Sequence, residues 1–195
     1  MAQNKARTVA FRRKREGRTD YKKRLHLLLG KKPRMVVRLS NSSVSSQIIG
    51  FEPAGDKVLA SAHTANLRKL GWKYSLKNYS AAYLCGLLLA KNAKAAGISG
   101  EIVLDTGFVT PQKGGKLYAV LKGAVDGGLE VKFGSEDIFP SEERVSGKIL
   151  ADYATKLQSE NKEAFSARFS RCLKEGADPT KMAESFESVK KAIGA

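Results

Sequence analysis

Three short runs with apolar residues, bounded by polar turn residues, lie in the first third of the chain, and each run predicts a β-strand. The runs cover residues 34–40, 44–51 and 57–63, and they contain several β-branched residues. Short polar segments separate them, and the second segment, Pro53 to Asp56, has the composition of a β-turn. Three consecutive strands joined in this way predict an antiparallel meander.

The longest apolar segment predicts a buried central helix. Residues 80–96 are apolar around much of the helical circumference, and Gly97 ends the pattern. A strand is predicted directly afterwards at 101–105, so that the chain crosses over and returns to the same sheet. A second helix over 116–126 and a fifth short strand over 129–133 complete this part of the chain.

Helical spacing also precedes the first strand. Thr19 is the predicted N-cap of this helix, and Gly30 is suited to its end. Its apolar positions fall on a single stripe, formed by Tyr21, Leu25, Leu28 and Leu29. We expect this stripe to dock the helix on the body and to leave the basic face outward.

The chain changes character from Phe139 onward. Three further helices are predicted, over residues 142–157, 160–174 and 180–193, and Pro179 is suited to the first turn of the last one. Basic and acidic residues nearly balance here, and the apolar residues are more typical of packing than of chemistry.

Together these elements predict three regions. Residues 1–33 form a basic arm and first helix, residues 34–133 an α/β body, and residues 134–195 a helical C-terminal extension. A meander followed by helix, strand and helix is close to the ribonuclease-H-like arrangement. The predicted fold class is therefore α/β, with a mixed sheet and flanking helices.

Positive charge is concentrated at the N-terminal end. The formal net charge is +16 at pH 7, and residues 1–38 hold fourteen Lys or Arg against two acids. Like charges this dense repel one another unless a polyanion neutralises them, so residues 7–24 are interpreted as the arm of an RNA-binding protein. A solvated basic tail or a targeting signal is the alternative. Phe11 and Tyr21 lie within the arm, either to stack on bases or to anchor it to the body.

A metal-dependent nuclease is the enzyme hypothesis that this fold raises. Such enzymes gather carboxylates at strand ends to hold Mg²⁺. The first strand carries Arg34 and Arg38 instead of an acid, and neither Asp105 nor Asp126 has an obvious carboxylate partner in that strand. We therefore expect no catalysis.

Other candidate sites are weaker. The sequence Gly114-Gly115-Lys116 fails the P-loop spacing and predicts a plain glycine turn, although a contact with an RNA phosphate stays open. Ser61 and His63 lack an orienting acid. Trp72 and Tyr74 are expected to pack on the sheet rather than to stack on bases.

Cysteine usage and hydropathy also restrict the function. Cys85 and Cys172 lie in apolar helical patterns and are expected to be buried, reduced thiols, which favours the cytosol. With no CxxC pair and only two histidines, a zinc site is not expected. No signal peptide or membrane-spanning segment is predicted, and the arm lacks the broad apolar face of a membrane-surface helix.

Several segments together resemble one family. They are RRKREGRTDYKKRL (12–25), PRMVVRLSN (33–41), LASAHT (59–64), GWKYSLKNYSAAYLCGLLLA (71–90), VLDTG (103–107) and KLYAVLKGAVDGGL (116–129). The chain is similar, over nearly its whole length, to the large-subunit ribosomal proteins of universal family eighteen, which bind 5S ribosomal RNA. Its C-terminal helices resemble the archaeal and eukaryotic branch, the type called large-subunit protein five in eukaryotes, and an archaeal source fits best.

The resemblance implies a ribonuclease-H-like body without catalysis or cofactor, located in the central protuberance of the cytoplasmic ribosome. It implies three partners: 5S rRNA, large-subunit rRNA and a neighbouring 5S-binding ribosomal protein. No membrane and no small-molecule substrate are expected. The residues expected to bind RNA are Arg7, Arg12, Arg13, Lys14, Arg15, Arg18, Tyr21, Lys22, Lys23, Arg24, Arg34, Arg38, Ser40 and Asn41. The arm is expected to supply most of the affinity, while the strand residues and the folded body fix the register.

Overall fold

The computed structural model describes residues 9–194, and its centre is a mixed four-stranded sheet. The strands are β1 (Arg34–Leu39), β2 (Val44–Gly50), β3 (Lys57–His63) and β4 (Val103–Asp105). Their order is β3-β2-β1-β4, with antiparallel pairing throughout the meander and parallel pairing between β1 and β4. The predicted meander and the predicted crossover are both confirmed.

Helices flank this sheet and continue beyond it. They are α1 (Arg12–Arg15), α2 (Tyr21–Leu29), α3 (Tyr79–Ala95), α4 (Lys116–Asp126), α5 (Glu142–Ser146), α6 (Lys148–Glu160), α7 (Lys162–Arg168), α8 (Ser170–Lys174) and α9 (Met182–Ile193). Short 3-10 turns lie at Thr64–Leu70, Glu136–Ile138 and Pro179–Lys181. The α/β class, the mixed sheet with flanking helices and the helical C-terminal region are confirmed. Within residues 9–194, no helix combines the length and the apolar character needed to cross a membrane.

The fifth strand predicted over 129–133 is wrong. Val131 forms a single parallel bridge with Ile102, and the N–H of Ile102 donates to the carbonyl of Glu130 at 2.8 Å. Leu129 and Val131 are each 6% exposed, so this segment contributes side chains to the core instead of a ladder of hydrogen bonds.

The main core lies between one face of the sheet and the helix pair α3 and α4. Alternate residues of β1 and β2, such as Met35, Val37 and Ile48, are buried against these helices. The predicted central helix is thus confirmed as the element that covers the sheet.

Helices α3 and α4 almost touch and run in the same direction. A Cβ added at Gly123 would lie 2.1 Å from the carbonyl oxygen of Tyr83. Further along both helices, a Cβ added at Gly127 would lie 2.4 Å from the Cβ of Ala90. Because the contacts advance along both helices together, the two N-termini lie at the same end of the pair.

A second apolar cluster joins α3 to the C-terminal helices. Trp72 and Tyr74 are 1% and 5% exposed and belong to this cluster, together with Phe186 of α9. The Tyr74 hydroxyl donates to the carbonyl of Asp178 at 2.6 Å. The expectation that both rings are buried was right, but they pack against helices and not against the sheet, because α3 is apolar on the side away from the sheet as well.

The C-terminal helices are shorter than predicted. The segment 142–157 is interrupted at Gly147, which has a φ of +81° and ends α5 before α6 begins. An added Cβ there would lie 3.1 Å from the side chain of Met182. The segment 160–174 is likewise divided, at Phe169. A helical period in sequence does not reveal such breaks when the apolar spacing continues across them.

Both cysteines are free thiols. Cys85 is buried in the main core beside the Ser46 hydroxyl, 3.3 Å away, and burial raises the pKa of its thiol to about 11. Cys172 is only partly buried, so the expectation of burial is correct for Cys85 alone.

Candidate RNA-binding surface

The described part of the arm exposes its cations. Residues 9–18 are all exposed, and the four residues of α1 are RRKR. Arg12 and Arg18 lie 3.6 Å and 3.3 Å from opposite oxygens of Glu16, with side chains 75% and 65% exposed. Such surface pairs are weak and exchange readily for a phosphate. Arg7 lies outside the described residues.

The arm turns back on α2 at Gly17, whose φ is +64°. The N–H of Arg18 donates to the carbonyl of Arg13 at 2.9 Å, and Nε of Arg13 donates to the Thr19 hydroxyl at 2.8 Å. The ring of Phe11 lies 5.2 Å from that of Tyr21, measured between centroids. This contact connects the arm to α2, while Phe11 remains 71% exposed.

Helix α2 begins one residue later than predicted, and its predicted apolar stripe packs against the body only in part. Asp20 is the N-cap and accepts the N–H of Lys23 at 3.0 Å. Leu25 and Leu29, on the apolar stripe that was expected to pack, are 58% and 69% exposed. The other half of the stripe is partly buried, so the expectation was right only in part. Lys23 and Arg24 find acceptors on the body, and their bonds rotate these two leucines towards solvent.

These two basic residues anchor α2. The Lys23 ammonium donates to the Thr106 hydroxyl at 2.9 Å and to the Gly107 carbonyl at 3.0 Å. The Arg24 guanidinium donates to both oxygens of Asp56, at 2.7 Å and 2.8 Å. A bidentate pair of this kind fixes orientation as well as position.

An ion-pair network extends from α2 into the sheet. Asp56 also accepts from Arg34 at 2.8 Å, and Arg34 donates to Asp105 at 3.0 Å. Arg38 donates to the Asp105 carboxylate at 3.1 Å and to its carbonyl at 2.8 Å. We call this set, Arg24, Asp56, Arg34, Asp105 and Arg38, the arginine–aspartate network.

The network keeps both carboxylates charged. The Arg24 hydrogen bond lowers the pKa of Asp56, and Arg34 lowers it further against the opposing effect of burial. Burial raises the pKa of Asp105, but the N–H of Gly107 and the charges of Arg38 and Arg34 outweigh it, so the pKa is lowered overall. The Asp56 hydrogen bond in turn raises the pKa of Arg24.

A cavity of about 180 Å³ lies between the arm, α2 and the open face of the sheet. Six cations and three carboxylates line it, so its lining keeps a positive balance. The cations are Arg13, Arg18, Lys23, Arg24, Arg34 and Arg38. The structure thus brings the arm and the first strand together at one surface, which we call the basic cleft.

The expected RNA-binding residues occupy different environments. Lys22 and Asn41 are exposed, whereas the Arg34 side chain is 3% exposed within the network. Ser40 is exposed, and its hydroxyl accepts the N–H of Ser43 at 2.9 Å in the turn that joins β1 to β2. The RNA-binding role of the whole set stays a prediction.

Sequence reasoning did not find the two aspartates that organise this surface. The composition around Asp56 predicts only a turn, and Asp105 drew notice only as a candidate metal ligand. The register that places Asp105 beside β1 follows from the parallel pairing of β1 and β4. An acid at the end of a crossover strand, opposite an arginine-bearing first strand, is the signal that indicates such a pair.

The geometry favours neither a metal centre nor a P-loop, and a contact between Lys116 and an RNA phosphate stays a prediction. Within residues 9–194, no group of three or more His, Cys, Asp or Glu side chains could hold a metal ion. The glycine turn uses its own donors: the N–H of Gly114 bonds to the carbonyl of Ile138 at 2.8 Å, and that of Gly115 bonds to the carbonyl of Gln112 at 3.0 Å. A plain turn is therefore the better description.

Comparison with known proteins gives the family. Residues 5–98 match the family model described as ribosomal large subunit proteins 60S L5 and 50S L18. The chain is 47% identical over 195 residues to the large ribosomal subunit protein uL18 of Korarchaeum cryptofilum (strain OPF8), covering 100% of this chain and 98% of that protein. Sequence identity at this level over the full length shows that the two proteins belong to the same family. The chain therefore belongs to the uL18 family of large-ribosomal-subunit proteins and is a structural constituent of the ribosome, not an enzyme.

Proposed function

We propose that the chain binds 5S ribosomal RNA and helps to attach it to large-subunit rRNA in the central protuberance, beside a second 5S-binding protein. The observation that carries the proposal is the exposed run Arg12 to Arg18, held against the body by Lys23 and Arg24 at the rim of the basic cleft. A basic segment fixed in this way presents its charges at defined positions, which a free tail does not.

The binding mode follows from the chemistry of the arm. Arginine forks bind phosphate oxygens bidentately, and their planes also stack on exposed bases. Double-helical RNA presents a deep major groove that side chains cannot read, so recognition is mainly of backbone and shape. The exposed arm supplies most of the affinity, because its cations have only weak intramolecular partners.

The residues of the first strand have a different task. Arg34 is nearly fully buried and already bonded to two carboxylates, so it acts by holding α2 and the arm at a fixed angle to the sheet. Arg38, with a side chain 46% exposed, and Asn41 are accessible and contact the RNA directly. In this division, residues 1–33 bind, residues 34–133 set the register, and residues 134–195 serve other contacts in the subunit.

The test is a salt-dependent titration of the intact chain against 5S rRNA, with tRNA as the competitor of similar charge. We expect 5S rRNA to be preferred by more than about tenfold, equivalent to about 1.4 kcal/mol. Equal affinity for both RNAs contradicts a specific role in 5S binding.

A matched pair of variants locates the binding surface. Arg12→Gln with Arg15→Gln removes two arm charges, and Arg68→Gln with Lys174→Gln removes two exposed charges elsewhere. We expect only the first variant to bind 5S rRNA more weakly and to show a weaker salt dependence, by about 0.9 in the logarithmic slope for each phosphate that is no longer neutralised. Equal effects in both variants indicate a nonspecific polycation.

A further inference from the structure

A second concentration of positive charge lies far along the sequence from the arm, around the ring of Tyr79. The Arg144 guanidinium lies 4.4 Å from the centroid of this ring, and the Lys116 ammonium lies 5.7 Å from it. Lys77 is close enough for its charge to act on Lys116. We call Lys77, Lys116 and Arg144 the cation cluster.

The cation cluster has no internal counter-charge. None of its three members lies within 4.0 Å of a carboxylate in the described range 9–194, in contrast to Arg24, Arg34 and Arg38 of the basic cleft. Burial lowers the pKa of Lys116, and the charges of Lys77 and Arg144 lower it further. Three cations that repel one another without an acid favour an anionic partner.

Backbone geometry adds to the positive field. The N-termini of α3 and α4 lie at the same end of a closely packed parallel pair, and Tyr79 and Lys116 are the first residues of the two helices. The positive ends of two helix dipoles therefore meet at the cation cluster. Gly115, the N-cap of α4, provides no side-chain cap, which leaves the N–H groups of the first turn available to an anion.

An apolar groove of about 290 Å³ adjoins the cation cluster between the start of α3 and α6. Its walls include Tyr79, Tyr153, Leu150 and Met182, and Arg144 stands at its edge. Ile149, Leu150 and Tyr153 are 51%, 38% and 43% exposed, so this side of α6 presents an apolar patch to solvent. Aromatic walls beside a cationic rim are typical of sites that hold an unstacked base.

Ser80 provides an independent indication of a binding site. This residue belongs to the lining of the groove and is 1% exposed, yet its hydroxyl has no hydrogen-bond partner within the described part of the chain. A buried hydroxyl without a partner costs about 1–3 kcal/mol, so proteins rarely keep one without a use. An occupant with a polar edge would satisfy it.

We propose that the apolar groove holds the base of one unstacked RNA nucleotide while the cation cluster holds its phosphate. An acidic protein segment would satisfy the cations, but it offers no planar face to the two tyrosines. The site lies on the α3–α4 end of the molecule and uses none of the arm residues. The inference therefore does not depend on 5S rRNA being the ligand of the arm.

The test is photo-cross-linking of the intact chain to a hexauridylate that carries 4-thiouridine, followed by mapping of the modified peptides. We expect cross-links at Tyr79 or Tyr153 in addition to those in the arm. Lys116→Gln with Arg144→Gln should reduce the groove cross-links by about tenfold or more and leave the arm cross-links unchanged. The control Arg68→Gln with Lys174→Gln should change neither set.

The substitution Ser80→Ala tests the contribution of the hydroxyl to base binding without changing any charge. Because it removes only the unpartnered hydroxyl, the cations and the fold remain, and we expect the groove cross-links to fall by about two- to tenfold. If cross-links form only in the arm and none form at Tyr79 or Tyr153, the nucleotide site is overturned. A protein segment is then the remaining occupant of the groove, and the proposed function is unaffected. Cross-links confined to the groove would support the nucleotide site alone, and the titration against 5S rRNA tests the proposed function separately.

Discussion

Arg34 on β1 and Asp105 at the end of β4 form an ion pair of 3.0 Å, although 71 residues separate them in sequence. Parallel pairing of the two strands, which sets Val36 opposite Asp105, brings them together. Their side chains are only 3% and 8% exposed. Because Arg34 also holds Asp56, and Asp56 holds α2, this pair connects the sheet to the base of the RNA-binding arm.

Neutralising Asp105 should therefore destabilise the protein strongly. Asp105→Asn leaves the buried Arg34 charge without its full counter-charge, and breaking a buried pair from one side costs about 3–5 kcal/mol. We expect a loss of about 3 kcal/mol in the free energy of unfolding, measured by urea denaturation. Glu52→Gln is the control, since the Glu52–Lys57 pair is exposed and should be worth less than about 0.5 kcal/mol. Equal effects of both substitutions would refute the structural role of the pair.

The carboxylates of Asp56 and Asp105 make the free energy of unfolding depend on pH. The pKa values of Asp56 and Asp105 are lowered in the folded state, so each contributes stability that is complete above the unfolded-state pKa of about 3.9. This contribution is lost as the pH falls through the lower folded-state pKa values. We expect the urea midpoint to be level above about pH 5 and to fall below it. In Asp105→Asn the fall should be shallower, and an identical pH profile would contradict the assignment.

The close approach of α3 and α4 admits no side chain at Gly123. Alanine favours a helix by about 1 kcal/mol over glycine, but its Cβ would lie 2.1 Å from the carbonyl oxygen of Tyr83. The clash dominates, and Gly123→Ala should lower the free energy of unfolding by about 3 kcal/mol. The control is Gly134→Ala, where nothing lies within 4 Å and the change should stay within about 0.5 kcal/mol.

Removing the arm should weaken RNA binding without unfolding the body. Residues 1–18 contain seven Lys or Arg, and residues 9–18 are fully on the surface. We expect deletion of 1–18 to reduce the salt slope of 5S binding by about 0.9 for each phosphate that the arm neutralises, while the thermal midpoint changes little. An unchanged slope would show that the body, and not the arm, supplies the electrostatic affinity.

Two buried hydroxyls should respond in opposite ways to removal. Ser80 has no partner within the described residues, so Ser80→Ala should leave stability unchanged or raise it by about 1 kcal/mol. Thr64 accepts the N–H of Val44 at 3.0 Å and donates to its carbonyl at 3.3 Å. Thr64→Val should therefore cost about 1–3 kcal/mol, because it removes the hydroxyl that bonds both backbone groups of Val44. A loss of stability in Ser80→Ala would show that its hydroxyl is already satisfied.

Periodicity was enough to predict the elements that bury apolar side chains. The meander, the crossover and helices α3 and α4 follow from patterns that one face of a strand or helix must show when it joins a core. The same reasoning failed in part for α2. Its apolar stripe indicated docking, but the bonds from Arg24 to Asp56 and from Lys23 to Gly107 rotate the helix so that Leu25 and Leu29 face solvent. The two acceptor residues lie 32 and 84 positions away in sequence.

Prediction of the RNA-binding surface from the sequence met the same limit. The basic run was evident in the sequence, because charge density needs no fold to be seen. The network that orients the run was not, since Asp56 and Asp105 meet Arg34 only through strand register. The cation cluster as a whole was also missed, because its members come from three separate segments, and only Lys116 drew notice, as part of the glycine turn. Polar contacts between residues far apart in sequence leave no periodic pattern in the local sequence, so the sequence alone does not predict them.

The link between Tyr74 and Asp178 also has a consequence for the order in which the chain acquires its structure. These residues are 104 positions apart, and the apolar side of α3 around Leu84 and Leu87 is covered only when α9 packs against it. Synthesis proceeds from the N-terminus, so the sheet and α4 can form while this side of α3 is still exposed to solvent. The nascent protein must pass through a stage that is prone to aggregate, and a chaperone that shields α3 until α9 has emerged would protect it.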